Sequence, residues 1–197
     1  MTAAEVIARG GVIAFRTDTF YGLGADPFNA AAVARIRELK GREDDKPILL
    51  LVSDLEQVER VIAERSEIFA RVAAAFWPGP LTIVGHAVAE LPAEITAGTG
   101  TVGVRLPAAE NVRTLVRECG GILTATSANP SGREPARSAQ EVVDYFPDGS
   151  SRSLDLVLDG GEVTVTEPST VLDATTSPPR VVREGAVACE LIQQLFD

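Results

Sequence analysis

The sequence predicts a single α/β domain over residues 1–197, with helices flanking a mixed parallel and antiparallel sheet. The chain is 45% hydrophobic and 23% charged, a composition typical of folded globular proteins. Short β-branched runs alternate with segments of helical period, and no Pro-, Gly- or Ser-rich stretch is long enough to link two domains. In the last third, strand-like runs follow one another with too little chain between them for crossover helices, which favours antiparallel pairing.

Helix starts are marked by side chains that cap backbone N–H groups. Gly10 ends the first helix, and the run Trp77-Pro-Gly-Pro80 ends the fourth because two prolines forbid its continuation. The second helix carries Lys40 and Arg42 at its C-terminal end. A further helix is expected between residues 106 and 122. The predicted capping residues are Thr2 with Glu5, Asn29, Asp54 with Gln57, Ser66, and Ser138 with Glu141.

Strands are predicted where apolar, β-branched runs lie between turn residues. The run 47–52 is apolar on both faces, which indicates an internal strand. We expect the last three strands to pair antiparallel with one another. The predicted strands are 11–15, 47–52, 81–85, 101–106, 122–126, 156–160, 169–173 and 180–183.

Charge and composition exclude several classes of protein. The formal net charge of −10 argues against a general coat for nucleic acid or anionic membrane, so any anionic ligand must be held locally. The sequence has neither an apolar run of the ~18 residues that span a membrane nor a secretory core at its N-terminus, so we expect a cytoplasmic protein without membrane contact. Cys119 and Cys189 lie far apart and His86 is the only histidine, so no metal site is predicted and both thiols are expected to be small apolar core groups.

The stretch Gly98-Thr-Gly-Thr-Val-Gly103 matches the GxGxxG pattern of dinucleotide-binding proteins. That pattern requires a helix after the glycines, whereas a strand-like run follows here, so the cofactor interpretation is rejected. The sequence has neither a phosphate loop of the form GxxxxGK[ST] nor a GxSxG nucleophile elbow. With a single imidazole, a catalytic triad is not expected.

Small hydroxyl and basic residues gather at the predicted strand ends. The stretch 17–24 follows a buried strand, where open α/β sheets place their ligands; the alternative is a turn closed by side-chain hydrogen bonds. The stretch 125–132 is a second such strand end, or an ordinary turn. Lys40, Arg42 and Lys46 place three cations within seven residues, which suits phosphate oxygens. Their alternative role is to satisfy the dipole at a helix C-terminus.

Two arginines lie within predicted strands. Burial of Arg105 between apolar neighbours is costly unless its guanidinium meets a carboxylate or phosphate, so it is either a ligand-binding residue or the partner of an internal Asp or Glu. Arg183 has the same two interpretations, or is a charge on an edge strand.

Taken together, eight segments resemble the YrdC/TsaC family in order and spacing. The match runs from about Gly10 to Gly185, nearly the whole chain. The segments are Thr17-Asp-Thr-Phe-Tyr-Gly-Leu-Gly24, Lys40-Gly-Arg42 with Lys46-Pro47, Trp77-Pro-Gly-Pro-Leu-Thr82, Val104-Arg-Leu-Pro107, Thr126-Ser-Ala-Asn129 with Ser131-Gly132, Asp159-Gly-Gly161, Pro168-Ser-Thr170 and Arg183.

The resemblance implies a twisted mixed sheet around a concave basic cavity, and an enzymatic activity. Family members form threonylcarbamoyl-adenylate and pyrophosphate from L-threonine, bicarbonate and ATP, as nucleotidyltransferases in threonylcarbamoyl-adenosine modification of tRNA. Mg²⁺ would accompany the ATP, and a downstream tRNA threonylcarbamoyl transferase complex would accept the product, without direct tRNA binding here. Only twelve residues follow Gly185, so the extra C-terminal domain of longer relatives is expected to be absent.

The resemblance also implies roles for individual residues. Three departures affect the threonine pocket: Arg16, Leu51 and Ala109 stand where the family commonly has proline, histidine and histidine. Two alternatives stay open: an RNA-binding or ribosome-associated module of the same fold, and a paralogue acting on another amino acid or carbamate. The implied residues are Thr19, Arg105 and Ser169 for threonine; Arg42, Lys46, Thr101, Ser127, Asn129 and Arg183 for ATP; and Lys40, Arg42 and Lys46 for catalysis.

Overall fold

The computed structural model describes residues 1–41, 46–149, 153–164 and 167–196. These residues form α-helices and strands in alternation through the first two thirds of the chain. The helices are α1 (Ala3–Ala8), α2 (Ala30–Lys40), α3 (Glu67–Phe76), α4 (Ala93–Thr96), α5 (Glu110–Glu118), α6 (Ala139–Tyr145) and α7 (Cys189–Gln193). The strands are β1 (Ile13–Arg16), β2 (Tyr21–Gly24), β3 (Leu50–Val52), β4 (Leu81–His86), β5 (Thr101–Arg105), β6 (Ile122–Thr124), β7 (Thr126–Ser127), β8 (Leu156–Val157), β9 (Thr170–Asp173) and β10 (Arg180–Arg183).

Side-chain caps begin four of the helices, as predicted. Thr2 and Glu5 form the complete capping box of α1, each side chain accepting a hydrogen bond from the other residue's backbone N–H. Asn29, Ser66 and Ser138 cap α2, α3 and α6. These short polar side chains satisfy N–H groups that have no partner within the helix.

The sequence predicts an α-helix after Asp54, and this prediction is wrong. Asp54 does accept hydrogen bonds from the N–H groups of Glu56 and Gln57, but the segment Glu56–Arg60 is a 3-10 helix. Two residues further on, Ile62 forms an isolated β-bridge with Ala87. The chain is therefore extended again before an α-helix can develop.

The strands lie in two mixed sheets, whereas the sequence predicted one. The first has the order β7-β2-β1-β8, and the second has the order β10-β9-β4-β5-β3-β6. In the six-stranded sheet, the β9–β4 and β5–β3 pairs are parallel and the other pairs antiparallel. The predicted mixed sheet with flanking helices is confirmed, and β3 is an internal strand with all three residues buried, as expected.

Tyr21–Gly24, predicted as part of a loop, is strand β2 and forms a hairpin with β1. The Thr17 hydroxyl closes the turn: it donates to the carbonyl of Phe20 at 2.6 Å and accepts the N–H of Phe20 at 3.1 Å. Gly24 lets β2 approach β1 closely, because a Cβ there would lie 2.8 Å from Cε1 of Phe15. The alternation of glycine with larger residues thus marks a tightly packed strand.

The predicted pairing of the last strands is only half right. Strands β9 and β10 pair antiparallel, as expected, but β8 pairs parallel with β1 in the other sheet. Asp155 fixes this position, because its carboxylate accepts the Val12 N–H at 2.7 Å and lies 2.5 Å from Nη1 of Arg35. The hydrogen bond between Val12 and Asp155, which are 143 positions apart in the sequence, thus places β8 beside β1.

Two apolar clusters fill the interior. The larger lies against the face of the six-stranded sheet that carries Val102 and Val104, and α2, α3 and α6 contribute to it. The smaller joins α1 and α5 to Phe15 and Leu51, and it includes Cys119. The prediction of Cys119 as a core thiol is confirmed, whereas Cys189 is partly exposed. No helix among the described segments is long and apolar enough to cross a membrane.

We expect Cys119 to resist alkylation in the native protein. Burial raises the pKa of its thiol to about 11, with a smaller contribution from the charge of Glu118. At pH 8 only about one molecule in a thousand then carries the reactive thiolate. In a Cys189→Ser variant, mass spectrometry should detect no iodoacetamide adduct until the protein is unfolded. Labelling of that native variant at the rate of a free thiol would contradict the buried position of Cys119.

Candidate functional site

Arg105 lies at the centre of the candidate site. It ends β5 and is only 2% exposed. Its Nε donates to the carbonyl of Gly79 at 2.9 Å, and its Nη2 lies 2.5 Å from Oδ2 of Asp18. Gly79 belongs to the turn between α3 and β4, and Asp18 to the hairpin turn between β1 and β2. Arg105 therefore ties three separate segments together at one end of the six-stranded sheet.

These contacts leave part of the guanidinium available to a ligand. Nη1 of Arg105 makes no hydrogen bond within the described residues, while Nε and Nη2 fix the plane of the group. Guanidinium groups held in this way are suited to binding a carboxylate or phosphate.

Asp18 is a member of the site that sequence reasoning missed as an individual residue. An internal carboxylate was one of the two predicted partners for Arg105, but nothing in the local pattern identified which one. Burial lowers the pKa of the Arg105 guanidinium; the charge of Asp18 opposes this, and the positive charge of Arg183 lowers the pKa further. The register of β10, β9, β4 and β5 places Arg183 and Arg105 at the same end of the sheet, where an anionic ligand would reduce the repulsion between their charges.

Ser169 contacts Arg183 and Thr82. Its side chain is buried and its Oγ lies 3.0 Å from Oγ1 of Thr82. Arg183 donates from Nη2 to the Ser169 carbonyl at 2.8 Å and lies 3.3 Å from its Oγ. The pKa of Arg183 is lowered from its ordinary value because part of the side chain is desolvated. The pairing of β9 with β4, and of β4 with β5, brings these groups to the same sheet end as Arg105.

Thr19 lies in the hairpin turn directly after Asp18. Its Oγ1 is 3.1 Å from Oγ1 of Thr17, whose hydroxyl closes the turn. Thr19 itself is partly exposed. The predicted threonine-binding residues Thr19, Arg105 and Ser169 are thus held in one neighbourhood through Asp18 and Thr82.

Lys40 binds the backbone at the end of strand β7. It is 2% exposed, and its Nζ donates to the carbonyls of Ser127 at 2.6 Å and Asn129 at 3.1 Å. Strand β7, which contains Ser127, pairs with β2 of the hairpin, so this loop lies beside the turn that carries Asp18. In this arrangement the Lys40 ammonium faces inward and positions Ser127 and Asn129.

Thr101 and Lys46 were also predicted as site residues. Thr101 begins β5, four residues before Arg105, which corresponds to a separation of ~13 Å along the strand. Its Oγ1 lies 2.9 Å from Oγ1 of Thr99. Lys46 is exposed, four residues before β3. Arg42 lies outside the described residues.

Thr101 and Arg105 lie on one face of the sheet, because side chains alternate along a strand. Gly103 lies between them and leaves the middle of that face without a side chain. A Cβ there would meet Cγ2 of Thr82 at 3.0 Å and Cδ1 of Leu49 at 3.8 Å. The space above Gly103 is therefore taken by the neighbouring side chains of Thr82 and Leu49. The predicted concave basic cavity stays a prediction.

Other features of the described residues do not coincide with this site. Two cavities of about 420 and 380 Å³ lie between α3, α7 and the Pro178–Pro179 turn, and none of the site residues lines them. Within the described ranges, no group of three or more His, Cys, Asp or Glu side chains is arranged to hold a metal ion. The site combines cations, hydroxyls and the Asn129 amide with the carboxylate of Asp18.

Known proteins with similar sequences and structures were found. The model of the Sua5/YciO/YrdC family, described as "Telomere recombination", matches residues 5–185. A threonylcarbamoyl-AMP synthase of Pyrococcus abyssi is 38% identical over 194 residues, which cover 98% of this chain and 56% of that protein. One of Halorhodospira halophila is 42% identical over 144 residues, covering 73% of this chain and 75% of that protein.

A solved structure has the same fold. The crystal structure of P. abyssi Sua5 complexed with L-threonine matches with a TM-score of 0.90 and 38% identity, over 98% of this chain and 56% of that chain. The chain thus spans little more than half the length of its P. abyssi relative.

Proposed function

Because the chain belongs to the Sua5/YciO/YrdC family, we propose that it is a threonylcarbamoyl-AMP synthase. It would form threonylcarbamoyl-AMP and pyrophosphate from L-threonine, bicarbonate and ATP, as a nucleotidyltransferase. The observation that carries the proposal is the gathering of Arg105, Ser169 and Arg183 at one sheet end, beside the loop of Ser127 and Asn129. The relatives named threonylcarbamoyl-AMP synthase and the threonine complex of P. abyssi Sua5 support it.

In this proposal the amino acid lies between the hairpin turn and the end of β5. Nη1 of Arg105 would bind its carboxylate, with Ser169 next to the same group and Thr19 at the turn. The proposed nucleotide contacts are Arg42, Lys46, Thr101, Ser127, Asn129 and Arg183. Lys40, predicted as catalytic with Arg42 and Lys46, would act on the nucleotide through the loop that it holds.

The proposed reaction needs little covalent chemistry from the protein itself. The threonine amine would combine with bicarbonate to give a carbamate and water. A carbamate oxygen would then attack the α-phosphorus of ATP as the bond to pyrophosphate breaks. Bringing the reactants together in the right orientation can contribute ~7–11 kcal/mol, and cations near the phosphates would stabilise the charge that develops there.

We propose that Mg²⁺ enters with ATP. The residues around Arg105 and Lys40 are cations, hydroxyls and an amide together with the carboxylate of Asp18, so the triphosphate and water would supply most of the ligands of the ion, as is usual for Mg²⁺. Bound in this way, it would neutralise charge on the departing pyrophosphate. The product would pass to a downstream tRNA threonylcarbamoyl transferase complex, and the net charge of −10 gives no support to extended tRNA binding by this chain.

The test is pyrophosphate release from ATP and bicarbonate in the presence of each of the twenty amino acids. We expect L-threonine to give the highest kcat/KM and a product with the mass of threonylcarbamoyl-AMP. Serine should give measurable activity, because one missing methyl group lowers specificity only ~10- to 200-fold.

Two outcomes would contradict the proposal. A clear preference for another amino acid would identify a paralogue with a different substrate. No pyrophosphate release with any amino acid, together with RNA affinity that falls steeply with salt, would favour an RNA-binding module.

A further inference from the structure

The carboxylate of Asp18 has one oxygen without a partner. Oδ2 lies 2.5 Å from Nη2 of Arg105. Oδ1 is buried and accepts no hydrogen bond from the described residues. A buried carboxylate oxygen without a donor is costly, so this atom marks a place where a donor is missing.

We propose that Asp18 binds the amine of the amino-acid substrate. Arg105 and Asp18 would then recognise the two charged groups of one zwitterion, with Nη1 of Arg105 on the carboxylate and Oδ1 of Asp18 on the amine. This inference rests on the proposed function, since it assumes an amino acid at Arg105. It adds a residue that binds the reacting nitrogen itself.

The surrounding turn supports a missing ligand over a poorly formed loop. Thr17 closes that turn with hydrogen bonds to the backbone of Thr19 and Phe20. The Thr17 hydroxyl and the N–H groups of Thr19 and Phe20 are therefore satisfied, whereas Oδ1 of Asp18 and, just before the turn, Nε of Arg16 have no partner among the described residues. Because Oδ1 is closed off before the ligand binds, the turn must shift to admit the amine.

The same contact would serve through the whole reaction. An ammonium group offers three N–H donors. After it loses one proton to water, the neutral amine combines with bicarbonate to give the carbamate and water, and the carbamate nitrogen retains one N–H. Oδ1 of Asp18 therefore has a donor both before and after the carbon–nitrogen bond forms. The nitrogen stays in place while the carbamate oxygen approaches the nucleotide.

The alternative is that Asp18 only orients Arg105. This purely structural role predicts that loss of the Asp18 charge weakens every carboxylate ligand equally. A direct contact with the amine predicts a selective loss for ligands that have an amine. Two ligands that differ in this group alone separate the roles.

The experiment measures Kd for L-threonine and for (R)-3-hydroxybutanoate, which has the same carbon chain, carboxylate and hydroxyl but no amine. Wild-type protein should bind threonine about 10- to 100-fold more tightly, the worth of a hydrogen bond to a charged group. In Asp18→Asn the amide oxygen can face Arg105 while its NH₂ group faces the ammonium, so the ratio should fall to about threefold or less.

Asp155→Asn is the matched control, because Asp155 forms an ion pair with Arg35 at the same 2.5 Å distance outside the site. It should leave the ratio of the two Kd values unchanged. Equal weakening of both ligands by Asp18→Asn would overturn the inference. If Asp18→Asn does not fold, as judged by circular dichroism, the wild-type protein still provides a test: equal Kd values for L-threonine and (R)-3-hydroxybutanoate would overturn the inference.

This result is separable from that of the pyrophosphate assay. The wild-type protein could bind amine-bearing ligands selectively, lose this selectivity in Asp18→Asn, and yet release no pyrophosphate. That result would support the amino-acid site and reject the synthase function. Pyrophosphate release with equal weakening of both ligands would reject only the role of Asp18. Failure of the wild type to bind any amino acid would reject both.

Discussion

An Arg105→Lys variant is expected to raise the apparent KM for threonine about 10²–10³-fold, because truncating one partner of a buried, hydrogen-bonded charge pair costs ~2–5 kcal/mol. A lysine ammonium keeps the charge but cannot bind Gly79, Asp18 and a substrate carboxylate with the geometry of a planar guanidinium. The measurement is threonine-dependent pyrophosphate release at saturating ATP. The KM for ATP should change by no more than about threefold.

Arg180→Lys provides the control for this prediction. Arg180 begins β10 and pairs with an aspartate, Asp173, at 3.6 Å, but it is largely exposed. Exposed ion pairs contribute ~0–1 kcal/mol, so this variant should retain the wild-type KM for threonine. An Arg105→Lys enzyme with an unchanged KM would show that Arg105 does not hold the carboxylate.

A Lys40→Met variant is expected to lose about 2–4 kcal/mol of unfolding free energy. Methionine approximates the volume of lysine but donates no hydrogen bond, so the carbonyls of Ser127 and Asn129 lose their donor in a buried position. Urea denaturation followed by circular dichroism measures the change. We also expect reduced turnover, because the loop that Lys40 positions would relax.

Lys46→Met is the matched control for stability. Lys46 is exposed, and substitutions at such positions usually change stability by no more than ~0.5 kcal/mol. Equal unfolding free energies for Lys40→Met and the wild type would contradict the structural role given to Lys40. They would mean that the cost of burying its ammonium offsets the hydrogen bonds that it makes.

The local features of the fold were readable from the sequence. Thr2, Asn29, Ser66 and Ser138 cap helices where short polar side chains precede apolar periodicity. Gly10 follows the end of α1 in the left-handed conformation. These signals depend on groups within a few residues of one another, which is why they could be recognised without the rest of the chain.

Pairings over long distances were not readable in the same way. The β-strand character of residues 156 and 157 was predicted, but their parallel contact with Ile13 and Ala14 was not. Whether β8 joins β1 or β9 depends on the Asp155 contacts with Val12 and Arg35, which no local pattern specifies. The division of the strands into two sheets likewise depends on contacts between residues that are far apart in the sequence.

For the candidate site, the sequence supplied residue types and the resemblance supplied roles. Arg105 was singled out because a strand arginine needs an anionic partner, but the partner Asp18 is 87 positions away. The sequence predicts Lys40 as one of three cations for phosphate, and this role stays a prediction. Its contacts with the Ser127 and Asn129 carbonyls were not indicated by the spacing, because the direction of a side chain depends on packing.

A crystal structure of this protein with L-threonine would test the central claim most directly. The account predicts the threonine carboxylate within hydrogen-bond distance of Nη1 of Arg105 and close to Oγ of Ser169, with its amine on Asp18. Threonine bound away from Arg105, for example in the cavity beside Pro178 and Pro179, with the Arg105–Asp18 pair unchanged, would contradict it.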